Sequence, residues 1–430
     1  MLRVTMISVL MMYLFLSAAT AQVVTVKGPW PQFHGPARNN LSPDTGLLTK
    51  WPDGGPPLVW DTRGAGRGYA SLAITDNRLY TLGDAPSTAE DKDEYVTCFD
   101  QADGKQLWKT KTGPAWTSGS ADWQSSRSTP TVDGDLLWVL TPHGKLLCLQ
   151  TASGQEVWQK DLAKDFEGKK GDGWGYSESV LIDGDKVVCT PGGSKSTMVA
   201  LNKKTGEPIW TAGWPEDRGA SHASIVISEI GGTRVYVQTT AGGEIGVRAA
   251  DGKLLWTYPI DRTIAVIPTP IVRGDLVFFA AGYKRGGALL RQVPGSDGEI
   301  KVEEVYPLNK ELANKHGGIV LAGEYLFGDS DDQGLPFCAE LMTGKQAWKE
   351  RGSGKGSVAV TVADGHLYLR YANGVMVLAQ AIPEKYEELS SFKIPDSGER
   401  PSWSHPVVIG GKLYLREQDR IFCYAVKAKN

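Results

Sequence analysis

Short apolar runs separated by Asp-Gly or Gly-Gly pairs recur along most of the chain, and they predict strands joined by tight turns. Thr131-Val132 and Leu136-Leu137-Trp138-Val139-Leu140 flank Asp133-Gly134-Asp135. Leu181-Ile182 and Val187-Val188 flank Asp183-Gly184-Asp185, and Ile225-Val226-Ile227 and Val235-Tyr236-Val237 lie either side of Gly231-Gly232. The same arrangement returns around Gly274, Gly365 and Gly410-Gly411. Such turns need positive φ, which glycine adopts without a steric cost. Runs of about five residues with alternating sides suit antiparallel strands, not helices.

A six-residue frame closes many of these units. Asp103-Gly104-Lys105-Gln106-Leu107-Trp108 is rewritten as Ser153–Trp158, Thr205–Trp210, Asp251–Trp256 and Thr343–Trp348. The tryptophans recur with a period of roughly 46–52 residues, the 256-to-348 gap holding two periods, and an array of that period made of strands points to a β-propeller. Five residues before each frame sits a small side chain: Cys98, Cys148, Ala200, Gly246 and Cys338. Close packing against a neighbouring unit's indole would explain that restriction. Trp60 keeps the period but has no complete unit before it. The strand Leu58-Val59-Trp60 is therefore expected to join the last unit and close the ring, leaving no bare sheet edge. The expected fold is all-β, an eight-bladed propeller of four-stranded blades over residues 58–430. Seven blades is the alternative, should a degenerate unit near Tyr306 or Phe392 fail to form one.

Residues 1–21 read as an export signal. Arg3 precedes an apolar run from Ile7 to Leu16, and Ala19-Thr20-Ala21 is a small-x-small cleavage site. The run falls short of the ~20 residues a membrane span needs, and no later stretch qualifies. An exported protein, periplasmic or extracellular, with no transmembrane span in the mature chain is expected. No Cys follows the cleavage site directly; the first is Cys98. Residues 22–57, rich in Pro and Gly, form an irregular lead segment. A net charge of −3 over 430 residues carries no footprint for nucleic acid. The five Cys occupy equivalent or isolated strand positions, too far apart to bridge, and read as small buried hydrophobes.

The segment before each innermost strand should form one mouth of the central channel. Tyr69, Arg127, Trp174, Tyr176, His222, His316, Trp403 and His405 fall there. Two readings of this mouth stay open, a ligand-contacting surface or a polar rim whose hydroxyls cap strand ends. His222, His316 and His405 belong to alternate units, so no shared metal is expected. Asp329–Gly334 reads as an acidic turn because the Glu of a calcium loop is missing. Gly192-Gly193 reads as a turn, not a phosphate loop. No catalytic set, nucleophile elbow or carboxylate pair is apparent.

The pattern of Ala/Cys-Leu, a polar turn and Gly-x-x-x-Trp resembles the tryptophan-docking repeat of the PQQ-like propellers across residues 58–430. That resemblance implies docking roles for Trp60, Trp108, Trp158, Trp210, Trp256 and Trp348. The enzyme branch of the family oxidises alcohols or sugars with PQQ and Ca²⁺ or a lanthanide, and many members carry a disulfide between adjacent Cys. This chain has no adjacent Cys and is short for that branch. It is more similar to the non-enzymatic propellers of outer-membrane assembly, which bind partners and carry no quinone. The expectation is an exported, monomeric, non-catalytic propeller that binds a protein or glycan partner and needs no cofactor. The alternative is a PQQ-dependent type of oxidoreductase with an altered site.

Overall fold

The computed structural model describes residues 28–85, 92–264 and 266–429; the export signal read over residues 1–21 lies outside them. Eight four-stranded antiparallel sheets follow one another around a ring. Seven are continuous in sequence, over residues 73–114, 131–161, 181–212, 226–259, 271–309, 320–349 and 358–393. The eighth takes three strands from residues 407–425 and its outermost strand from Leu58–Arg63. Trp60 pairs with Cys423 there, so the start of the propeller completes its last blade. The degenerate units are full blades: their outer strands are Ile300–Asn309 and Glu388–Lys393. Eight, not seven, is the count.

Apolar side chains collect between successive blades and not at the axis. Trp138, Cys148, Ile182 and Val199 join the second and third blades, and Val226, Val237, Val277 and Leu290 join the fourth and fifth. Each sheet is thus buried on both faces, which explains why its middle strands are almost uniformly apolar.

The repeated tryptophans lie at these junctions. The indole N–H of Trp60 donates to Gln101 O at 3.2 Å, Trp108 to Thr151 O at 3.0 Å and Trp158 to Lys203 O at 3.0 Å. Trp210 donates to Ala249 O at 3.1 Å and Trp348 to Ile382 O at 2.9 Å. Each acceptor belongs to the next blade. For Trp60, Trp108, Trp158 and Trp210 the frame glycine of that next blade lies under the ring. A Cβ on Gly154 would stand 2.5 Å from Trp108, and one on Gly206 2.8 Å from Trp158. Gly154 also has φ 72°, so glycine is demanded twice, by backbone and by contact.

The small residues five before the frame answer to a different ring from the one expected. Cys98 pairs directly with Trp108, Cys148 with Trp158, Ala200 with Trp210, Gly246 with Trp256 and Cys338 with Trp348. The constraint is a cross-strand pair within one blade, followed at once by a bulge. The neighbouring blade's indole is met by the frame glycine instead. All five Cys are buried and unpaired.

An inner belt of hydroxyls stitches the blades around the channel. Ser71 N–H donates to Thr129 Oγ1, Thr129 N–H to Ser179 Oγ, Ser179 N–H to Ser224 Oγ and Ser224 N–H to Thr269 Oγ1. The channel itself is filled by the chain's own lead segment. Trp30 exchanges backbone hydrogen bonds with Ile74, the Val132 amide donates to Pro31 O, and the Val362 amide donates to Asn40 O. Arg38, buried, donates to Ser179 O at 2.6 Å and to Gln32 Oε1 at 2.9 Å. Four blades therefore grip residues 30–40 from different sides.

Candidate functional site

At one mouth the plug makes the floor of a bowl of about 110 Å³, room for one ring-sized group and not a long chain. Phe33 and His34 stack at 3.7 Å on that floor, with His405 at 4.7 Å from His34. Tyr69, Trp123, Arg127, Trp174, His222, Tyr283, Lys315, His316 and Trp403 complete the wall. Seven of the eight residues singled out in the sequence thus face one space, because each immediately precedes an innermost strand. Tyr176 does not. It is buried behind the wall, over Gly144, and its hydroxyl donates to Pro191 O at 2.9 Å.

The aromatic residues contact one another around the bowl. His316 lies nearly parallel to Trp403 at 4.3 Å, and Trp403 tilts against Tyr69 at 4.9 Å. Trp123 meets Trp174 edge-on at 5.7 Å and remains 43% exposed at the rim. Both Arg127 and Arg400 lie over Tyr69, at 5.8 and 5.7 Å from its centroid. Arg127 also spans the rim, donating to Ser125 O at 3.2 Å, to Trp174 O at 2.9 Å and to Trp123 O. Burial lowers its pKa to about 10, so it stays charged at neutral pH.

Most other ionisable groups are committed to one another. His222 Nε2 lies 2.8 Å from Asp172 Oδ2, and its Nδ1 lies 2.6 Å from Ser177 Oγ. With Nε2–H donating to the carboxylate, Nδ1 accepts from the serine hydroxyl. The order serine, imidazole, carboxylate is that of a nucleophile, base and orienting acid. Its basicity is not: burial depresses the imidazole to about 4, far below the range in which a general base works at neutral pH. Burial raises the Asp172 carboxyl, but the His222 interactions, Lys170 and the Trp174 amide outweigh it and keep the group ionised. Lys170 is lowered to about 8 by burial.

The acidic turn is spent inside the protein. Asp331 accepts from the amides of Tyr283 and Lys284, and Asp329 from that of Leu335. Asp332 binds Lys315 at 3.0 Å and the Ser357 amide. Although His222, His316 and His405 line the same bowl, no group of three metal-ligating side chains is assembled among the described residues.

The quinone set does not fit this channel. A flat cofactor on the axis would compete with Phe33, His34 and Arg38, which are packed and hydrogen-bonded there. No adjacent cysteines exist to flank it. Below the plug a second cavity, about 740 Å³, opens to the opposite mouth past Leu41, Ile227, Ile271 and Ile319.

Sequence reading missed Phe33, His34, Trp123, Asp172, Tyr283, Lys315 and Arg400. They come from the aperiodic lead and from long connections. Only the isolated Trp123 in a polar stretch, and Phe33-His34 between Pro and Gly, stand out as signals.

A family profile described as "Outer membrane protein assembly factor BamB" matches residues 92–350, well over half of the chain. A protein of that name from Nitrosomonas eutropha is 22% identical over 60% of this chain and 58% of its own length. One from Burkholderia pseudomallei is 29% identical over 40% of this chain and 43% of its own. The chain therefore spans less than two thirds of these relatives. A third, from Moranella endobia, is 23% identical over 79% of this chain and 75% of its own. Among solved structures, BamB from Moraxella catarrhalis superposes with a TM-score of 0.60 at 15% identity, covering 87% of this chain and 98% of that one. A europium-containing methanol dehydrogenase reaches 0.65 at 14% identity, over 90% of this chain and 89% of that one. At such identities these two establish the fold alone. The chain is a PQQ-like propeller, and by the profile match from the outer half of its first blade through its sixth it belongs to the outer membrane protein assembly factor BamB family.

Proposed function

We propose that this protein is exported and works in the assembly of outer-membrane proteins by binding a protein partner, not by turnover. The match of residues 92–350 to the assembly-factor family carries this reading. The filled channel supports it: the axis holds the chain's own side chains, and the mouth is a shallow bowl open to contact. The depressed basicity of His222, the imidazole held against Ser177, also favours binding over catalysis.

The test has two arms. Deleting the gene in its own host is expected to lower the amount of folded β-barrel protein in the outer membrane. The purified propeller is expected to bind a purified component of the assembly machinery from that host in a saturable way. Normal barrel levels together with no binding to any component reject the reading. In the second arm the protein is incubated with PQQ and Ca²⁺ and assayed for dye-linked oxidation of alcohols and sugars. Stoichiometric quinone uptake with turnover would establish the oxidoreductase alternative instead.

A further inference from the structure

The bowl has an electrostatic imbalance that partner binding does not explain. Around it, Lys315 is paired with Asp332 at 3.0 Å and Lys170 lies 4.0 Å from Asp172. Arg127 and Arg400 have no carboxylate partner among the described residues, yet both lie over Tyr69. Two guanidinium groups on one ring repel each other, and they are held there by Arg127's three carbonyl acceptors and by a 3.3 Å contact from Arg400 to Ser125 Oγ. A charge arrangement that costs energy in the empty protein is relieved by an anion.

The unsatisfied polar atoms point the same way. Arg400 Nε and Nη2 and Trp403 Nε1 are buried with no hydrogen-bond partner among the described residues, whereas His316 Nδ1 lies 3.7 Å from the Asp332 carboxylate. Arg400 and Trp403 flank Tyr69, and His316 stacks on Trp403. Buried donors left unpaired are costly, so a ligand here must be rich in acceptors. Beside them Trp123 presents an exposed indole face at the rim, a platform for the apolar side of a ring. The room available suits one ring.

We infer that the bowl is a binding site for an acidic saccharide, one pyranose ring stacking on Trp123 while its carboxylate meets Arg400 and Arg127. A hydroxyl oxygen of the same ring supplies an acceptor to Trp403 Nε1. An aromatic side chain would satisfy the platform but neither the indole donor of Trp403 nor the guanidinium of Arg400. The inference goes beyond the partner-binding reading and does not depend on it.

Tri-galacturonate titrated into the full-length protein, with tryptophan fluorescence and calorimetry as readouts, tests this, with maltotriose as the uncharged counterpart. Saturable binding at least about tenfold tighter than maltotriose is expected, weakening as salt is raised. Arg400→Gln and Trp123→Ala are each expected to weaken it about tenfold or more while leaving the melting temperature unchanged. Absence of saturable binding overturns the inference, and so does equal binding of maltotriose or wild-type affinity in both variants. Tighter competition by a short peptide with an aromatic C-terminal residue would reassign the bowl to peptides and likewise overturn it. Loss of partner binding with the saccharide site intact would count against the proposed function only.

Discussion

The junctions between the early blades and those around the fifth blade solve the same packing problem with different chemistry. Across the early arc, Trp60, Trp108, Trp158 and Trp210 each cover a frame glycine and donate to a carbonyl of the following blade. At the fourth junction Trp256 is at least as buried as the others, among Val272, Val277 and Ile300, but its N–H finds no acceptor among the described residues. The hairpin it meets, Gly295-Ser296-Asp297-Gly298, lacks the frame. At the fifth, Tyr306 takes the indole's place over Gly344, with a Cβ there falling 3.0 Å from the ring, and its hydroxyl is also unpaired. At the seventh, Phe392 fills the role against Trp51 and Gly55 of the lead segment. Ring burial is kept at every one of these junctions and the hydrogen bond is dispensable. Covering a large aromatic stabilises by several times the ~1 kcal/mol net of one hydrogen bond, so the wheel tolerates loss of the polar half of the motif.

The largest effect should come from removing a ring. Trp108→Ala and Trp256→Ala should each cost about 3–5 kcal/mol in chemical denaturation, with or without the hydrogen bond. A cost for Trp256→Ala below about 1 kcal/mol would show that the polar contact matters more than the ring. Next comes a pH effect that separates the two arcs. Burial raises Glu94, in the first blade, to about 8, and Asp329, in the sixth, to about 7. Each is protonated in the fold and ionised when unfolded above its ordinary pKa. That contribution to stability is complete below the ordinary value and is lost as pH rises through the folded one. Glu94→Gln should therefore flatten the decline in stability between about pH 4.5 and 8, on the order of a few kcal/mol, and Asp329→Asn the decline ending near pH 7. Melting temperature against pH for both variants checks the windows.

Smaller effects sharpen the contrast. Gly154→Ala places a Cβ 2.3 Å from Thr110 Oγ1 as well as under Trp108, whereas Gly134 has φ 58° and open space around it. The first should cost about 2–3 kcal/mol and the second only about 1, the left-handed backbone alone. Least of all, Tyr306→Phe removes a hydroxyl that has no partner and should be neutral or stabilising by up to about 1 kcal/mol, while Trp108→Phe loses about 1 kcal/mol more than Trp256→Phe. Equal losses for those two phenylalanine variants would remove the distinction between the arcs.

The blades were legible because a strand, a turn and a strand leave a local signature: Asp133-Gly134-Asp135 must turn whatever surrounds it. Ring closure was legible because Trp60 keeps the period. The role of Cys98 and its counterparts was misassigned because small size marks a contact without naming which ring makes it; the register with Trp108 decides that. The plug left no pattern, since residues 30–40 are held by single backbone bridges and by side chains such as Arg38 reaching carbonyls, which impose neither a period of two nor of 3.6. The bowl's seven legible residues all precede innermost strands by position alone, while Trp123 and Arg400, which were not legible, arrive on connections whose geometry only the fold determines.

Because residues 58–63 pair with 420–424, the wheel cannot be locked before residues 420–424 have been made. Until the final strands emerge, residues 58–63, the outer strand of the eighth sheet, have no strand to pair with, and the threaded lead lacks the Val362 and His405 side of its sleeve. Shortening the chain by a few residues at its far end would therefore unfasten its near end as well, and the nascent protein must be kept from pairing with strangers until its last turn is made.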